Sequence, residues 1–326
     1  MSDPNEPRPG YPGELAIPSA PASAMRRRID VSAGLELLLA LPAFLSSLVV
    51  VWLAGFALPP RVAWTVPLLW ILSGPLIFVP AVEPLIARLL LGKRRPTPAE
   101  QGRLGAPWNS VCRAAGVDPH RYSLWITEST EINASASAGR LVSVTTAALD
   151  LPPSKLEAVL AHELGHHLSG HPAVSLAAWW YAIPGRLSTF IMRRCIRILA
   201  ASGRLFLFLG HTLAALASAV MALFLLIVLV MTNPWLVVVP LTTLPLALPL
   251  AWASRIGEIH ADQVAARLGY GPALMTVLHQ WISEGDDEHR RRAGIRARML
   301  ASHPSCADRL ARLDSYLRNY PVPYSG

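Results

Sequence analysis

Residues 153–170 read PSKLEAVLAHELGHHLSG, and this stretch decides how the chain is to be understood. Leu156, Val159, Leu160 and Leu164 recur at helical spacing, Ser154 and Glu157 form an S-x-x-E capping pattern behind two prolines, and Gly170 with Pro172 marks a stop. On such a helix His162 and His166 lie one turn apart on one face. Both imidazoles can therefore converge on a single metal ion, with Glu163 turned toward an open coordination position. Imidazole with carboxylate suits zinc, and a catalytic zinc keeps a place for water. The metal acidifies that water to a pKa of roughly 7, and a neighbouring carboxylate can take the proton as the water attacks a carbonyl. The sequence therefore predicts one zinc ion per chain, with His162 and His166 as ligands and Glu163 as general base in peptide-bond hydrolysis. His167 and His171 are expected to be solvated or rim residues.

A catalytic zinc needs a third protein ligand, and residues 255–262, RIGEIHAD, offer an E-x-x-x-D pair on one helical face. Glu258 is the expected ligand. Asp262 is expected to accept a hydrogen bond from His162 and so fix its tautomer.

Outward from these motifs the composition is that of a membrane protein. Of 326 residues, 52% are hydrophobic and 15% charged, against about 25% charged in an ordinary soluble domain. Residues 37–60 and 62–82 carry no charge, and neither does the region between Arg204 and Arg255, where Thr232-Asn233-Pro234 reads as a turn. A membrane-spanning helix needs roughly 20 such residues. The expected architecture is a mainly α membrane protein with two transmembrane hairpins, 35–92 and 204–254. A cytosolic α+β zincin-type (gluzincin) domain is divided between 93–203 and 255–326, with a helix over 96–117 and strands over 122–127 and 141–146. The Pro- and Ser-rich start, 1–30, is expected to be a disordered cytoplasmic tail.

The net charge of +8 invites a nucleic-acid reading, but the basic residues flank the spans. Arg26, Arg27 and Arg28 precede the first, Lys93, Arg94 and Arg95 follow the second, Arg193, Arg194 and Arg197 precede the third, and Arg255 follows the fourth. By the positive-inside rule both termini and the 93–204 segment belong in the cytoplasm of a multi-pass cell-membrane protein, with the lipid bilayer, not nucleic acid, as partner. The apolar stretch 173–191, broken by Pro184, Gly185 and Arg186, is expected to lie at the membrane interface, because a further crossing would strand Glu258 on the wrong side. Cys112, Cys195 and Cys306 have no metal or redox spacing and are expected to be reduced thiols.

The motifs together resemble the HtpX-type membrane zinc metallopeptidases, in the wider family that includes the CaaX prenyl endopeptidases. The resemblance rests on Asn133-Ala134 before a strand, AVLAHELGHH from Ala158, the Glu258–Asp262 pair, and His303-Pro304 with Arg309 in SHPSCADRLARL. It implies that Asn133 and Ala134 hold the substrate backbone as an added strand, and that His303 and Arg309 contribute near the transition state. It also implies protein or peptide substrates, membrane proteins among them, and a role in membrane-protein quality control. Two alternatives are a zinc-protease signal transducer of the beta-lactam sensor type, which wants an extracellular sensor domain, and a catalytically silent membrane scaffold.

Overall fold

The computed structural model describes residues 31–137, 139–208, 210–232, 235–285, 288 and 303–320; the tail 1–30 and the turn residues Asn233 and Pro234 lie outside them. At its centre is the helix α5 (Pro153–Ser169), most of whose residues are buried. It begins at Pro153, with Pro152 as N-cap and no side-chain cap, so Ser154 and Glu157 do not form the expected capping box. Proline's fixed φ already suits the first helical position, which moves the start ahead of Ser154. A reciprocal capping box sits instead on α4 (Pro98–Ala115), between Thr97 and Glu100. Gly170 ends α5 at φ 81°, a left-handed conformation that favours glycine.

Leu156, Leu160 and Leu164 of α5 join Leu104, Trp108 and Val111 of α4 in one core with Ile126, Val142 and Val144. The last three belong to a sheet of β1 (Ser123–Thr127), β2 (Ala134–Ser137) and β3 (Leu141–Thr145) in the order β1-β3-β2. β1 runs parallel to β3, and β2 antiparallel to it with Ala134 opposite Val144. Arg94 closes the outer edge of β1 through an antiparallel bridge to Ile126. The outer edge of β2 carries no further strand among the described residues.

The apolar segments follow the expected pattern in part. α1 (Val31–Gly55) contains the one unbroken helix, Ala33–Gly55, that is long and apolar enough to cross a membrane among the described residues. The second expected span is broken. α2 (Thr65–Ser73) runs into a 3-10 turn, and after it α3 (Glu83–Leu85) and a π-helical turn set off at 89°. Pro75 opens the 3-10 turn and Pro80 falls at the break, where each removes a helical donor. Further on lie α6 (His171–Phe208), α7 (Thr212–Thr232) and α8 (Trp235–Arg267).

α6 packs along α1. Ser175 donates to Glu36 Oε1 at 2.5 Å, and the Gly185 amide donates to Ser47 Oγ at 3.0 Å. The first half of α6 therefore runs beside α1 in the same direction, sealed by Phe44, Trp70 and Tyr181. Pro184 is accommodated inside one continuous helix of 38 residues. With a rise of about 1.5 Å per residue, Arg193 lies roughly 33 Å along the helix from its start.

The last turns of α8 re-enter the core through Val264, Ala265 and Ala266, where α9 (Gly271–Ser283) and α10 (Cys306–Asn319) complete it. α5 and α8 cross at Gly165. A Cβ there would stand 3.0 Å from both Cα and O of Ala261 and 3.2 Å from Val264 Cβ. Gly165→Val is expected to cost roughly 1–3 kcal/mol of stability by overpacking and to lower metal content by prising the two helices apart. Thermal unfolding and elemental analysis of the purified variant check both.

Candidate metal centre

The crossing sets two short motifs, far apart in sequence, face to face. From α5 come His162, Glu163 and His166, and from α8 come Glu258 and Asp262. One nitrogen of each histidine and one oxygen of Glu258 all lie within 4.8 Å of one another. His162 Nε2 stands 3.5 Å from Glu258 Oε2, and His166 Nε2 stands 3.4 Å from Glu258 Oε1. His162 Nδ1 is 2.8 Å from Asp262 Oδ1, which leaves Nε2 turned toward the cluster. A carboxylate behind a ligand histidine is the usual device for fixing its tautomer.

α10 adds a cation beneath this group. Arg309 is buried, and its guanidinium grips Asp262 with two bonds, Nε to Oδ2 at 2.9 Å and Nη2 to Oδ1 at 2.6 Å. Its Nη1 is 3.5 Å from Glu258 Oε2. His303 sits at the rim with 57% of its side chain exposed, and its Nδ1 is 2.8 Å from Glu258 Oε1. Glu163 is buried and lines the same cleft. That cleft, about 980 Å³, is also bordered by Asn133 and Ala134, and it extends to Glu36 of α1 and Trp179 of α6. All the residues singled out in the sequence thus border it except Asp262, which lies behind His162.

Burial alone would raise the Glu258 carboxyl, but His162, His166 and His303 around it hold it well below the usual carboxylate range. Asp262 is likewise kept low against its burial, chiefly by Arg309 and His162. Burial and the Arg309 charge both disfavour a protonated His162. The carboxylates of Asp262 and Glu258 outweigh them and lift it to about 9.

The donor set fits a divalent cation. Two imidazoles and a carboxylate already converge, and Glu258 and Asp262 bring two buried carboxylates to the α8 side.

A model of peptidase family M48 matches residues 98–317. The chain belongs to peptidase family M48. Membership makes it a metallopeptidase, and M48 peptidases are typically zinc-dependent. The M48 region takes in every residue of the cluster, whereas α1 to α3 precede it. No curated protein matches the chain.

Three features of this M48 site were not legible beforehand. His167, expected at the surface, is buried, with Nε2 3.0 Å from the Leu141 carbonyl, and so ties α5 to β3. Arg309 borders the cleft, but its Nε and Nη2 are taken up by Asp262 and its Nη1 lies 3.5 Å from Glu258 Oε2. Lys93, which reads in the sequence as one of several flanking charges, is buried beneath the sheet. Cys112 and Cys306 are free thiols, both buried; the side chain of Cys195 lies outside the described residues.

Two outcomes follow for metal binding. Glu258→Ala should remove most of the bound metal, since a two-histidine site lacks an anionic ligand. Asp262→Ala should cost only about 10 to 100-fold in affinity, because it withdraws support from His162 without removing a donor. Metal stoichiometry and competitive chelator titration give the order. The second outcome concerns pH. The His162 proton must leave before Nε2 can donate to the metal from the tautomer that Asp262 supports. Since the metal-free protein holds that proton up to about pH 9, apparent affinity should rise as pH climbs from 6.5 toward 9, by up to about tenfold per unit for one released proton. By the same sign, the raised pKa stabilises the metal-free fold fully below about pH 6.5, and this contribution is lost as pH rises through 9.

Proposed function

We propose that this protein is a membrane-bound zinc endopeptidase of the HtpX type, which cleaves extended polypeptide at the cytoplasmic face of the membrane. The observation that carries the reading is the juxtaposition, in one cleft, of the His162–His166–Glu258 cluster, the Glu163 carboxylate and the open edge of β2.

Zinc held by His162, His166 and Glu258 would supply Lewis acidity to water and to the scissile carbonyl. The chain's own groups do the rest. The Thr145 amide of β3 donates to Asn133 O at 2.9 Å, so by antiparallel alternation the backbone groups of Ala134 and Ala136 point to the open edge. An extended substrate can add there as a further strand, with main-chain bonds setting its register. Asn133 Oδ1 accepts from the Ala134 amide at 2.8 Å and occupies that donor until a substrate carbonyl takes it. Glu163 takes the proton of the attacking water and returns it to the leaving amine, which needs one carboxylate within reach of both. His303 is exposed at the rim and placed to meet the substrate. Arg309 acts through Asp262, holding it against His162.

The membrane placement is supported by α1 and by its flanking charges. Arg26 to Arg28 precede α1 and Lys93 to Arg95 follow the bent second segment, so the positive-inside rule puts the catalytic domain and the N-terminus together in the cytoplasm. The cleft reaches Glu36 and Trp179 on the two helices that would enter the bilayer. Substrates anchored in that bilayer, such as damaged membrane proteins, can approach it without leaving the surface.

Glu163→Gln keeps both histidines and the third ligand but cannot accept the proton. Its cleavage of a casein or quenched-peptide substrate should fall at least about 100-fold while metal content stays at the wild-type level. Wild-type activity should vanish on chelation and return with added zinc. Undiminished cleavage by Glu163→Gln would remove the general-base assignment.

A further inference from the structure

The segment that leaves the apolar helices carries a cation whose position the chemistry above does not use. Lys93 is buried, and its ammonium lies 2.6 Å from Ser143 Oγ, 2.9 Å from Ser135 Oγ and 3.2 Å from Ser137 Oγ. Three N–H donors thus meet three hydroxyls, which is all that an ammonium can offer. Ser135 and Ser137 are alternate residues of β2 and share one face with Ser143 of β3, while Ala134 packs toward α5 on the other. β2 has four residues and, among the described residues, pairs on one side alone, so it has little ladder to hold its position.

Lys93 itself is firmly held. Its amide donates to Ala87 O at 2.8 Å, and the next residue, Arg94, exchanges both backbone bonds with Ile126 at 2.9 and 2.8 Å. The neighbouring cations are committed elsewhere, Arg94 to Glu100 and Glu128, and Arg95 over the Trp125 ring. Burial lowers the Lys93 ammonium to about 8, and the Glu163 carboxylate works against that lowering. The other charged group near this turn, Glu83, is bonded to Ser123 of β1, and Arg88 is exposed. Lys93 precedes the 98–317 region that the M48 match covers.

We propose that Lys93 is a positioning residue for cleavage: threaded beneath the sheet, it pins the open strand β2 at the height where Glu163 meets the substrate backbone. The proposal rests on the peptidase reading above and specifies how that site is held. It links the membrane-proximal segment directly to the substrate edge, so that a shift of residues 86–93 is felt by β2.

The test uses full-length, zinc-loaded protein in detergent, a quenched peptide substrate, and the variants Lys93→Met and Lys93→Arg. Methionine keeps the buried volume, and the Ser135 and Ser143 hydroxyls, 2.8 Å apart, can pair with each other. Lys93→Met is expected to raise KM at least about tenfold with metal content unchanged, because the strand that holds the substrate is no longer fixed. Arginine keeps its charge at every working pH. Lys93→Arg should therefore recover at least threefold over Lys93→Met and lack the fall in kcat/KM that is expected of the wild type as pH rises through about 8. Independently of catalysis, amide exchange over residues 134–137 should quicken at least tenfold in Lys93→Met while α5 stays protected. Chelator-sensitive wild-type cleavage combined with unchanged KM and unchanged β2 exchange in Lys93→Met would overturn the proposal and leave the peptidase reading standing. Absence of chelator-sensitive cleavage in the wild type would overturn that reading. The exchange comparison then decides the pin by itself, and unchanged exchange rejects it.

Discussion

The missing side chain of Gly165 is the constraint on which the centre depends. With Ala261 Cα and O only 3.0 Å from where a Cβ would stand, α5 and α8 approach as closely as their backbones allow. That approach brings Glu258 between the two histidines and Asp262 behind His162 in one step, because each pair is already spaced by a helical turn. A wider crossing would separate the donor atoms together, since helices move as rigid bodies and cannot yield residue by residue.

Closeness has an electrostatic cost that the rest of the domain offsets. Two carboxylates are buried on α8, and an unpaired buried charge is strongly disfavoured. Arg309, delivered by α10, takes up the charge of Asp262 with a bidentate grip, while the histidines take up that of Glu258. The C-terminal helix is thus part of the centre although none of its residues is proposed as a ligand.

The sheet and the apolar helices meet at the same cleft from opposite ends. Its polar end is the metal cluster with the open edge of β2, and its other end is bordered by Glu36 and Trp179, at the roots of the helices packed along α1. Lys93 sits where these two halves join, since it leaves the bent apolar segment and ends beneath β2. The apolar segments and the open strand are in this way joined through one side chain.

The sequence by itself determined the local chemistry: the helical spacing of His162 and His166, the pairing of Glu258 with Asp262, the apolar run of α1, and strands at 123–127 and 141–145. These are properties of period and residue type, and they need no knowledge of neighbours. The tertiary structure decided what depends on neighbours. Pro153 overrode the capping pattern at Ser154, His167 went inward to reach Leu141, and the second apolar run broke at its prolines. α6 aligned along α1, through partners that no local pattern names. Lys93 and Arg309 look like ordinary surface cations in one dimension. Burial beside three hydroxyls or a carboxylate pair is a fact about partners distant in sequence, and no spacing rule along the chain encodes it.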